Sequence, residues 1–139
     1  MEFVQVVSVE NMRKSDARTI AEHTPSAELM YRAAQGIFNS AKFVGRVAIV
    51  CGKGNNGGDG YALVVDCLLG TGFSGELKGE MLEAVEQINM TNAYVISADI
   101  NSGINGDTGV CSTAVNSDLT VSIGSFKTGL FLNDAPYYI

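Results

Sequence analysis

The sequence has few of the residues from which zinc sites and disulfide frameworks are built. It has one histidine, His23, and three cysteines, no two of which form a C-x-x-C pair. Structural zinc usually needs four cysteine, histidine or carboxylate ligands, and an odd number of widely spaced cysteines gives no disulfide pattern. Cys51 and Cys67 fall in apolar, strand-like runs, where a thiol acts as a small hydrophobe. We expect buried, reduced thiols, with a reactive thiol as the alternative.

Positive charge and long apolar segments are also scarce. Nine basic and fifteen acidic residues give a net charge of −6, and no Lys/Arg-rich stripe offsets it, which argues against a nucleic-acid partner. No apolar run approaches the length of about 18 residues typical of a transmembrane helix, and the start of the chain lacks a signal-peptide pattern. We therefore expect a cytoplasmic protein with no membrane partner. A small phosphate ligand remains compatible, because backbone N–H groups bind phosphate without cationic side chains.

Four short apolar runs are typical of strands buried on both faces. Patterns of helical spacing alternate with them, which predicts a parallel α/β sheet with crossover helices. A length of 139 residues with 46% apolar content predicts one domain over residues 1–139. The predicted strands are residues 47–51, 63–69, 93–98 and 119–123.

Three helices are predicted from the apolar spacing. One covers residues 8–22 with Ser8 as the N-cap, a second begins at Thr24-Pro25 with Thr24 as the N-cap, and a third covers residues 80–88. Met30 and Phe38 belong to the stripe of the second helix that we expect to pack in the core.

Two glycine-rich loops follow the first two predicted strands. Each fits G-x-G-x-x-G, with glycines at 52, 54 and 57 in the first loop and at 70, 72 and 75 in the second. One such loop is a weak signal, because glycines also serve turns without a ligand. Two of them on the carboxyl edge of a parallel sheet, where ligands bind, predict a phosphate-containing ligand.

Three carboxylates and one lysine are expected at the same edge. Asp59 lies in the first glycine loop, while Asp66 and Asp99 lie within or at the end of apolar strands, where an unpaired carboxylate is costly. Either they cap the amides of neighbouring loops or they converge on one crevice and exchange protons or hold a cation. Lys127 either joins this edge or is a solvated surface lysine.

An ordinary dinucleotide oxidoreductase fits the sequence poorly. Its ribose-binding carboxylate is expected about twenty residues after the first glycine. Counted from Gly52, that region is the second glycine loop itself, with Glu76 just beyond it. Hydride transfer is therefore not the favoured reaction.

Four segments carry a more specific pattern than the glycine spacing alone. They are Gly54–Gly60 (G-N-N-G-G-D-G), Val65–Gly72 (V-D-C-L-L-G-T-G), Asp99–Gly103 (D-I-N-S-G), and Asp118–Val121 (D-L-T-V) followed by Lys127. In this order they resemble the YjeF N-terminal family, the NAD(P)H-hydrate epimerases, and the resemblance spans nearly the whole chain. It implies a three-layer Rossmann-like α/β domain, with a mostly parallel sheet and helices on both faces.

The resemblance also implies a reaction and a set of residues. The reaction interconverts the R and S epimers at C6 of hydrated NADH and NADPH (NADHX and NADPHX), which repairs damaged cofactor. Asp99 is expected as the main proton-transfer group, assisted by Asp59. Asn56, Asp66 and Ser102 match the family's potassium site, so a potassium ion is the expected cofactor. The residues expected to contact the substrate are Asn55, Asn56, Gly57, Gly58, Asp59, Gly70, Thr71, Gly72, Phe73, Ser74, Gly75, Glu76 and Asp99.

Partners and an alternative function also follow from the resemblance. A homodimer and a functional link to an NAD(P)HX dehydratase are expected by resemblance alone. The alternative function is a non-catalytic nucleotide- or protein-binding module of the same fold. Carboxylates in apolar strand ends, at Asp66 and Asp99, favour the enzyme, because a binding module has no need of them.

The sequence departs from the family at one internal position. Between Gly60 and Val64 it has three residues where relatives carry a helix, a strand and a further helix. A parallel crossover usually takes a dozen or more residues. Either the crossover is shortened in this chain or a stretch is missing from the sequence. We also expect a shortened C-terminus, since Ile139 precedes the family's last strand.

Overall fold

The computed structural model describes residues 5–41, 47–51 and 63–139. Its strands and helices occur in the order expected of an α/β domain. The strands are β1 (Val6–Val7), β2 (Val47–Cys51), β3 (Leu63–Cys67), β4 (Tyr94–Ala98), β5 (Leu119–Val121) and β6 (Phe126–Lys127). The α-helices are α1 (Val9–Glu22), α2 (Ser26–Ser40) and α3 (Glu80–Asn89), and two short 3-10 helices cover Thr128–Phe131 and Ala135–Tyr137.

All strand pairs in the structure are parallel. The main sheet has the order β2-β3-β4-β5, and β1 pairs with β6 in a separate two-stranded sheet. The register places Val65 beside Ile96 and Ala98 beside Val121. The four predicted strands are therefore confirmed with small changes at their ends, and the predicted α/β, Rossmann-like fold class is confirmed.

One core lies between the sheet and α3. Val64 and Val95 point to this face of β3 and β4, where Val85 and Ile88 of α3 pack against them. Side chains alternate along a strand, so Val65 and Ile96 point to the opposite face, and they are buried there as well. Burial on both faces explains why the sequences of these strands are continuously apolar.

A second core lies under the loops that follow β4. It consists of Ile100, Ile104, Ala114, Leu130 and Ala135. This cluster joins the loop after β4 to the two 3-10 helices. It thereby fixes the backbone of the D-I-N-S-G segment, from which two of the predicted site residues project.

Helix α1 begins as predicted, whereas α2 does not. Ser8 Oγ accepts a hydrogen bond from Asn11 N at 3.2 Å, which confirms Ser8 as an N-cap. At α2 the cap position is Pro25, in an extended conformation and without a side-chain hydrogen bond, so the prediction that Thr24 caps this helix is wrong. The reason is that the helical backbone begins one residue later, at Ser26.

The prediction that Met30 and Phe38 pack in the core is also wrong. No residue of α2 is buried, and these two side chains are 70% and 65% exposed. Leu29, Ala33 and Ile37 of the same stripe are half-buried. Burial was likewise wrongly predicted for Cys67, which is exposed at the end of β3, while Cys111 is half-buried.

The short connection after Cys51 joins two neighbouring parallel strands. Val47 pairs with Leu63 and Cys51 with Cys67, and β3 runs without a break through Leu63 and Val64. Residues 52–62, which contain the first glycine loop, lie outside the described residues. Within the described ranges, no helix is long and apolar enough to cross a membrane.

Candidate functional site

The carboxyl ends of β3, β4 and β5 bring three loops to one edge of the sheet. Parallel strands in register end on the same side. The loop Gly70–Glu76 follows β3, the segment Asp99–Gly103 follows β4, and residues 122–125 follow β5. This is the edge at which the sequence predicted a ligand.

Asp66 and Ser102 are in direct contact at this edge. Asp66 is 1% exposed, and Ser102 donates its hydroxyl to Asp66 Oδ1 at 2.6 Å and its backbone N–H to Oδ2 at 2.9 Å. Ser97 Oγ donates to Oδ2 at 2.9 Å and Leu68 N to Oδ1 at 3.2 Å. Leu69 N in turn donates to Ser102 Oγ at 2.9 Å. Asp66 therefore ties the end of β3 to the loop after β4.

Asp99 is held in an unusual backbone conformation. Its φ is +73°, in the left-handed region that non-glycine residues rarely adopt. Asp99 N donates to Val121 O at 2.8 Å, and Ser122 Oγ donates to Asp99 O at 3.2 Å. Ile123 N donates to Asp99 Oδ1 at 3.0 Å. Contacts from β5 and the loop after it thus hold both the backbone and the side chain of Asp99.

Lys127 forms an ion pair with Asp99. Its Nζ donates to Asp99 Oδ1 and, at 2.8 Å, to Ile123 O. The Lys127 side chain is 0% exposed, whereas that of Asp99 is 24% exposed. Of the two alternatives open for Lys127, the structure therefore shows the one in which it joins this edge.

The second glycine loop is largely exposed. Phe73 N donates to Gly70 O at 3.1 Å in a tight turn, and Gly75 has a φ of +96°, which suits glycine. Phe73 is half-buried and packs against the core beside α3, which anchors the loop. The exposed remainder, including Gly70 and Gly72, presents backbone to solvent.

The first turns of α1 lie over the loops of this edge. A Cβ atom on Gly72 would lie 2.9 Å from Arg13 Nη2, and one on Gly124 would meet the end of Met12. Val9 packs in the same way against Gly106, and its N–H donates to Asp107 Oδ1 at 2.6 Å. Arg13 therefore places a guanidinium beside the second glycine loop.

The structure brings together every predicted site residue that it describes. Asp66, Ser102, Asp99 and the loop Gly70–Glu76 all lie at or just beyond the carboxyl ends of β3 and β4. Five predicted residues lie outside the described residues. They are Asn55, Asn56, Gly57, Gly58 and Asp59.

Three contributors were not predicted from the sequence. Ser97 of β4 pairs in register with Asp66 of β3. Aligning the two predicted strands could therefore have identified Ser97 as a partner of Asp66. The Ile123 N–H is a backbone donor and has no side-chain signal. Arg13 lies far from the site in sequence, and only the packing of α1 reveals its position.

Two clefts differ in their relation to this edge. A cavity of about 170 Å³ is lined by Ser122, Gly124, Ser125, Phe126 and Gln5, beside the segment that holds Asp99. A larger open cleft of about 630 Å³ is lined by residues such as Asn89, Asn116 and Tyr138. Asn89 ends α3 and Asn116 precedes β5, so the larger cleft lies at the amino ends of the strands. It contains none of the predicted site residues.

Asp66 and Ser102 provide the buried polar side chains beside the second glycine loop. No group of three or more His, Cys, Asp or Glu side chains able to hold a metal occurs among the described residues. Asp66 and Ser102 contribute oxygens only, which are the ligands preferred by hard cations. No buried side-chain polar atom of the described residues lacks a hydrogen bond.

Comparison with known proteins shows the family of this chain. A family model described as the YjeF-related protein N-terminus matches residues 26–63 and 61–129. The chain belongs to this YjeF N-terminal family. The two matched segments overlap at residues 61–63, where the sequence predicts either a shortened crossover or a missing stretch.

Relatives with assigned names are repair enzymes. An NAD(P)H-hydrate epimerase of Limosilactobacillus reuteri is 30% identical, with 96% of this chain and 91% of the relative covered. A bifunctional NAD(P)H-hydrate repair enzyme of Coxiella burnetii is 31% identical over 80% of this chain. A second bifunctional repair enzyme, from Thermofilum pendens, is 49% identical over 50% of this chain.

The relatives differ from this chain in length. This chain spans 35% of the Coxiella enzyme and 13% of the Thermofilum enzyme. The alignment with the Limosilactobacillus epimerase extends over 193 residues, more than the 139 of this chain. That epimerase therefore has a segment without a counterpart here.

Proposed function

We propose that this chain is an NAD(P)H-hydrate epimerase that interconverts the R and S C6 epimers of NADHX and NADPHX. The observation that carries the proposal is the state of Asp99 at the end of β4. One carboxylate oxygen is held by Lys127 and the Ile123 N–H, and no described residue donates to the other. Membership of the YjeF N-terminal family and the names of the relatives support the same reaction.

The chemistry requires one proton to be given and one to be taken back. Hydrated nicotinamide carries a hydroxyl on C6, next to the ring nitrogen. When Asp99 relays a proton from solvent to this hydroxyl, the C6–O bond breaks, water leaves and the nitrogen lone pair forms a C=N bond. Water then adds to the other face of C6, where the assisting Asp59 is proposed to accept its proton, and exchange with solvent returns both carboxyl groups to their starting forms. A positioned acid–base group of this kind contributes about 10² to 10⁴ in rate, and in this proposal Asp59 assists it.

The dinucleotide would be held by backbone and by one cation. The exposed loop Gly70–Glu76 offers backbone N–H groups, and the segment Asn55–Asp59 is proposed to face it. Arg13 lies against Gly72, where its guanidinium would pair with the diphosphate, a preferred partner of arginine. A single well-placed cation is compatible with a chain whose net charge is −6.

Potassium is proposed as the cofactor at Asn56, Asp66 and Ser102. The donor chemistry fits, because Asp66 and Ser102 offer a carboxylate and a hydroxyl oxygen side by side and oxygen ligands are those that hard cations such as potassium prefer. A bound ion supplies positive charge beside the loops that hold the substrate. Asp66 also accepts four hydrogen bonds from the protein, so it orders these loops whether or not an ion is bound.

A potassium titration tests this cofactor directly. We expect potassium to raise the melting temperature more than sodium at equal ionic strength, and Ser102→Ala to remove the difference. Equal effects of the two ions on the unsubstituted protein would argue against the site. Glu86→Gln on the exposed face of α3 is the control and should keep the potassium response.

Partners and location belong to the same proposal. The names of the bifunctional relatives suggest a functional link to an NAD(P)HX dehydratase, a homodimer is proposed by family resemblance, and a cytoplasmic location follows from the sequence pattern. One observation favours the alternative of a non-catalytic binding module, namely the segment of the relatives that has no counterpart here.

The experiment that separates these functions uses purified NADHX as substrate. We expect the protein to equilibrate the R and S forms, separated by chromatography, faster than the spontaneous reaction. Binding of intact NADH is measured alongside. Folded protein that binds NADHX without accelerating its epimerisation would indicate the binding module, and tight binding of intact NADH with hydride transfer would indicate an oxidoreductase.

A further inference from the structure

Lys127 lies at the end of β6 and is fully buried. It pairs in register with Val7 of β1, so it lies beside the N-terminal strand. Its side chain is 0% exposed. Lysine is almost never fully buried unless it is paired, so the position of this ammonium requires an explanation from its contacts.

The ammonium contacts two acceptors on the same side of the sheet edge. One is Asp99 Oδ1 and the other is Ile123 O. Because Ile123 N also donates to Asp99 Oδ1, Lys127, Ile123 and Asp99 form a closed set of hydrogen bonds. The side chain of Asp99 can rotate only if at least two of these bonds break.

The two oxygens of Asp99 are therefore not equivalent. Oδ1 accepts from Lys127 and from Ile123, whereas Oδ2 accepts from no described residue. The Asp99 side chain is 24% exposed although its partner is buried. Asp99 is thus partly accessible at the carboxyl edge, and Oδ2 is the oxygen to which no described residue donates.

We propose that Lys127 is a positioning residue for the epimerase reaction: it holds Asp99 Oδ1 so that Oδ2 faces the hydroxyl-bearing carbon of the substrate. The proposal rests on the proposed function for the identity of that substrate. The orientation of Asp99 by Lys127 stands on the contacts alone.

A role in stability alone is a weaker explanation of the pair. Replacement of a buried ion pair by apolar residues is often neutral or stabilising, because the desolvation of both charges offsets their attraction. The strained φ of +73° at Asp99 adds a cost that a purely structural pair does not need. Strain maintained by several contacts is typical of positions where the geometry of a group matters.

The first arm of the test does not depend on activity. Amide hydrogen exchange at Ile123 is measured in the unsubstituted protein and in Lys127→Met. We expect exchange at Ile123 to become at least about tenfold faster, because its acceptor is no longer held in place. Exchange at Ile96 in the sheet reports global stability and should change less. Lys14→Met, which removes an exposed ammonium paired with Glu10, is the matched control.

The second arm measures kinetics with NADHX. Lys127→Met is expected to lower kcat about a hundredfold, the size typical of a misplaced reacting group, with KM changed less than about twofold. Lys127→Gln keeps an N–H donor without the charge. This variant should retain slow exchange at Ile123, and its kcat should lie between those of the unsubstituted protein and Lys127→Met. If Lys127→Met does not fold, the positioning role is tested on Lys127→Gln instead, by its kcat and by the exchange rate of its Ile123 amide.

The outcomes separate this inference from the proposed function. Unchanged exchange at Ile123 in Lys127→Met overturns the positioning role, whatever the activity. Unchanged kcat in an active enzyme overturns it as well. If the unsubstituted protein is inactive with NADHX, the proposed function is overturned. If Ile123 exchange is nevertheless faster in Lys127→Met, the orientation of Asp99 by Lys127 still holds.

Discussion

Ser102 donates two hydrogen bonds to the carboxylate of Asp66, one from its hydroxyl and one from its backbone N–H, although the residues are 36 positions apart. With Ser97 and Leu68, this gives the buried carboxylate four donors. An ionised carboxylate is an acceptor only, with about four lone-pair positions. The hydrogen-bonding capacity of the Asp66 carboxylate is therefore satisfied by protein donors, two of them from Ser102, whether or not an ion binds beside these residues.

Asp66→Asn is predicted to destabilise the fold. The new amide replaces one acceptor oxygen by an N–H₂ group, which would face N–H and O–H donors in a buried site. A loss on the order of 3 kcal/mol in the free energy of unfolding is expected, measured by urea denaturation. Glu86→Gln, the same chemical change on the exposed face of α3, should stay within about 0.5 kcal/mol. Equal stability of the two variants would show that the Asp66 contacts contribute little.

The Asp99–Lys127 pair predicts an asymmetry between its two deletions. Asp99→Ala leaves a fully buried ammonium whose described partner is Ile123 O. Lys127→Met leaves a carboxylate that is 24% exposed and can be hydrated. We expect a loss on the order of 3 kcal/mol for Asp99→Ala and about half of that for Lys127→Met. A larger loss of unfolding free energy for Lys127→Met than for Asp99→Ala, measured by chemical denaturation, would mean that burial of the remaining charge does not govern the loss.

Arg13 is predicted to act on substrate binding and not on the chemical step. Arg13→Met should raise KM for NADHX about tenfold, the effect of losing about 1.4 kcal/mol, with little change in kcat. Lys14→Met is a matched control because Lys14 follows Arg13 in α1 and its ammonium pairs with Glu10. An equal rise in KM in both variants would point to long-range charge and not to contact with the diphosphate.

Gly103 of the D-I-N-S-G segment is predicted not to tolerate a side chain. Its φ is +108°, and a Cβ atom would overlap Thr113 O and lie 2.8 Å from Ala114 Cα. Gly103→Ala should cost at least about 2 kcal/mol. At Gly36 in α2 nothing lies within 4 Å of a Cβ atom, so Gly36→Ala should stabilise by about 0.5 to 1 kcal/mol. Thermal melts of both variants check the contrast, and destabilisation by both would contradict it.

Much of the sheet and part of the site could be predicted from local patterns. Apolar runs located β2 to β5, because strands buried on both faces are continuously apolar. The rule that parallel strands end at one edge then predicted that Asp66 and Asp99 converge, whereas Ser102 was expected only from the family resemblance. The contact between Asp66 and Ser102 confirms that they meet, whereas a potassium ion between them stays a prediction.

The features that could not be predicted depend on tertiary packing. The local sequence around Lys127 has no signal for its burial, and the pairing of β6 with β1, from the other end of the sequence, depends on the tertiary fold. The apolar spacing of α2 did not show that Met30 and Phe38 are exposed while Leu29, Ala33 and Ile37 of the same stripe are half-buried. Arg13 reaches Gly72 only because of the direction in which α1 crosses the sheet edge.

The most direct measurement is the rate at which (R)-NADHX becomes (S)-NADHX in the presence of the unsubstituted protein and of Asp99→Asn, followed by chromatography. The proposal predicts rapid equilibration by the unsubstituted protein and a rate lower by about 10² or more in Asp99→Asn, with both proteins folded. Equal rates in the two proteins, or no acceleration over the spontaneous reaction, would contradict it.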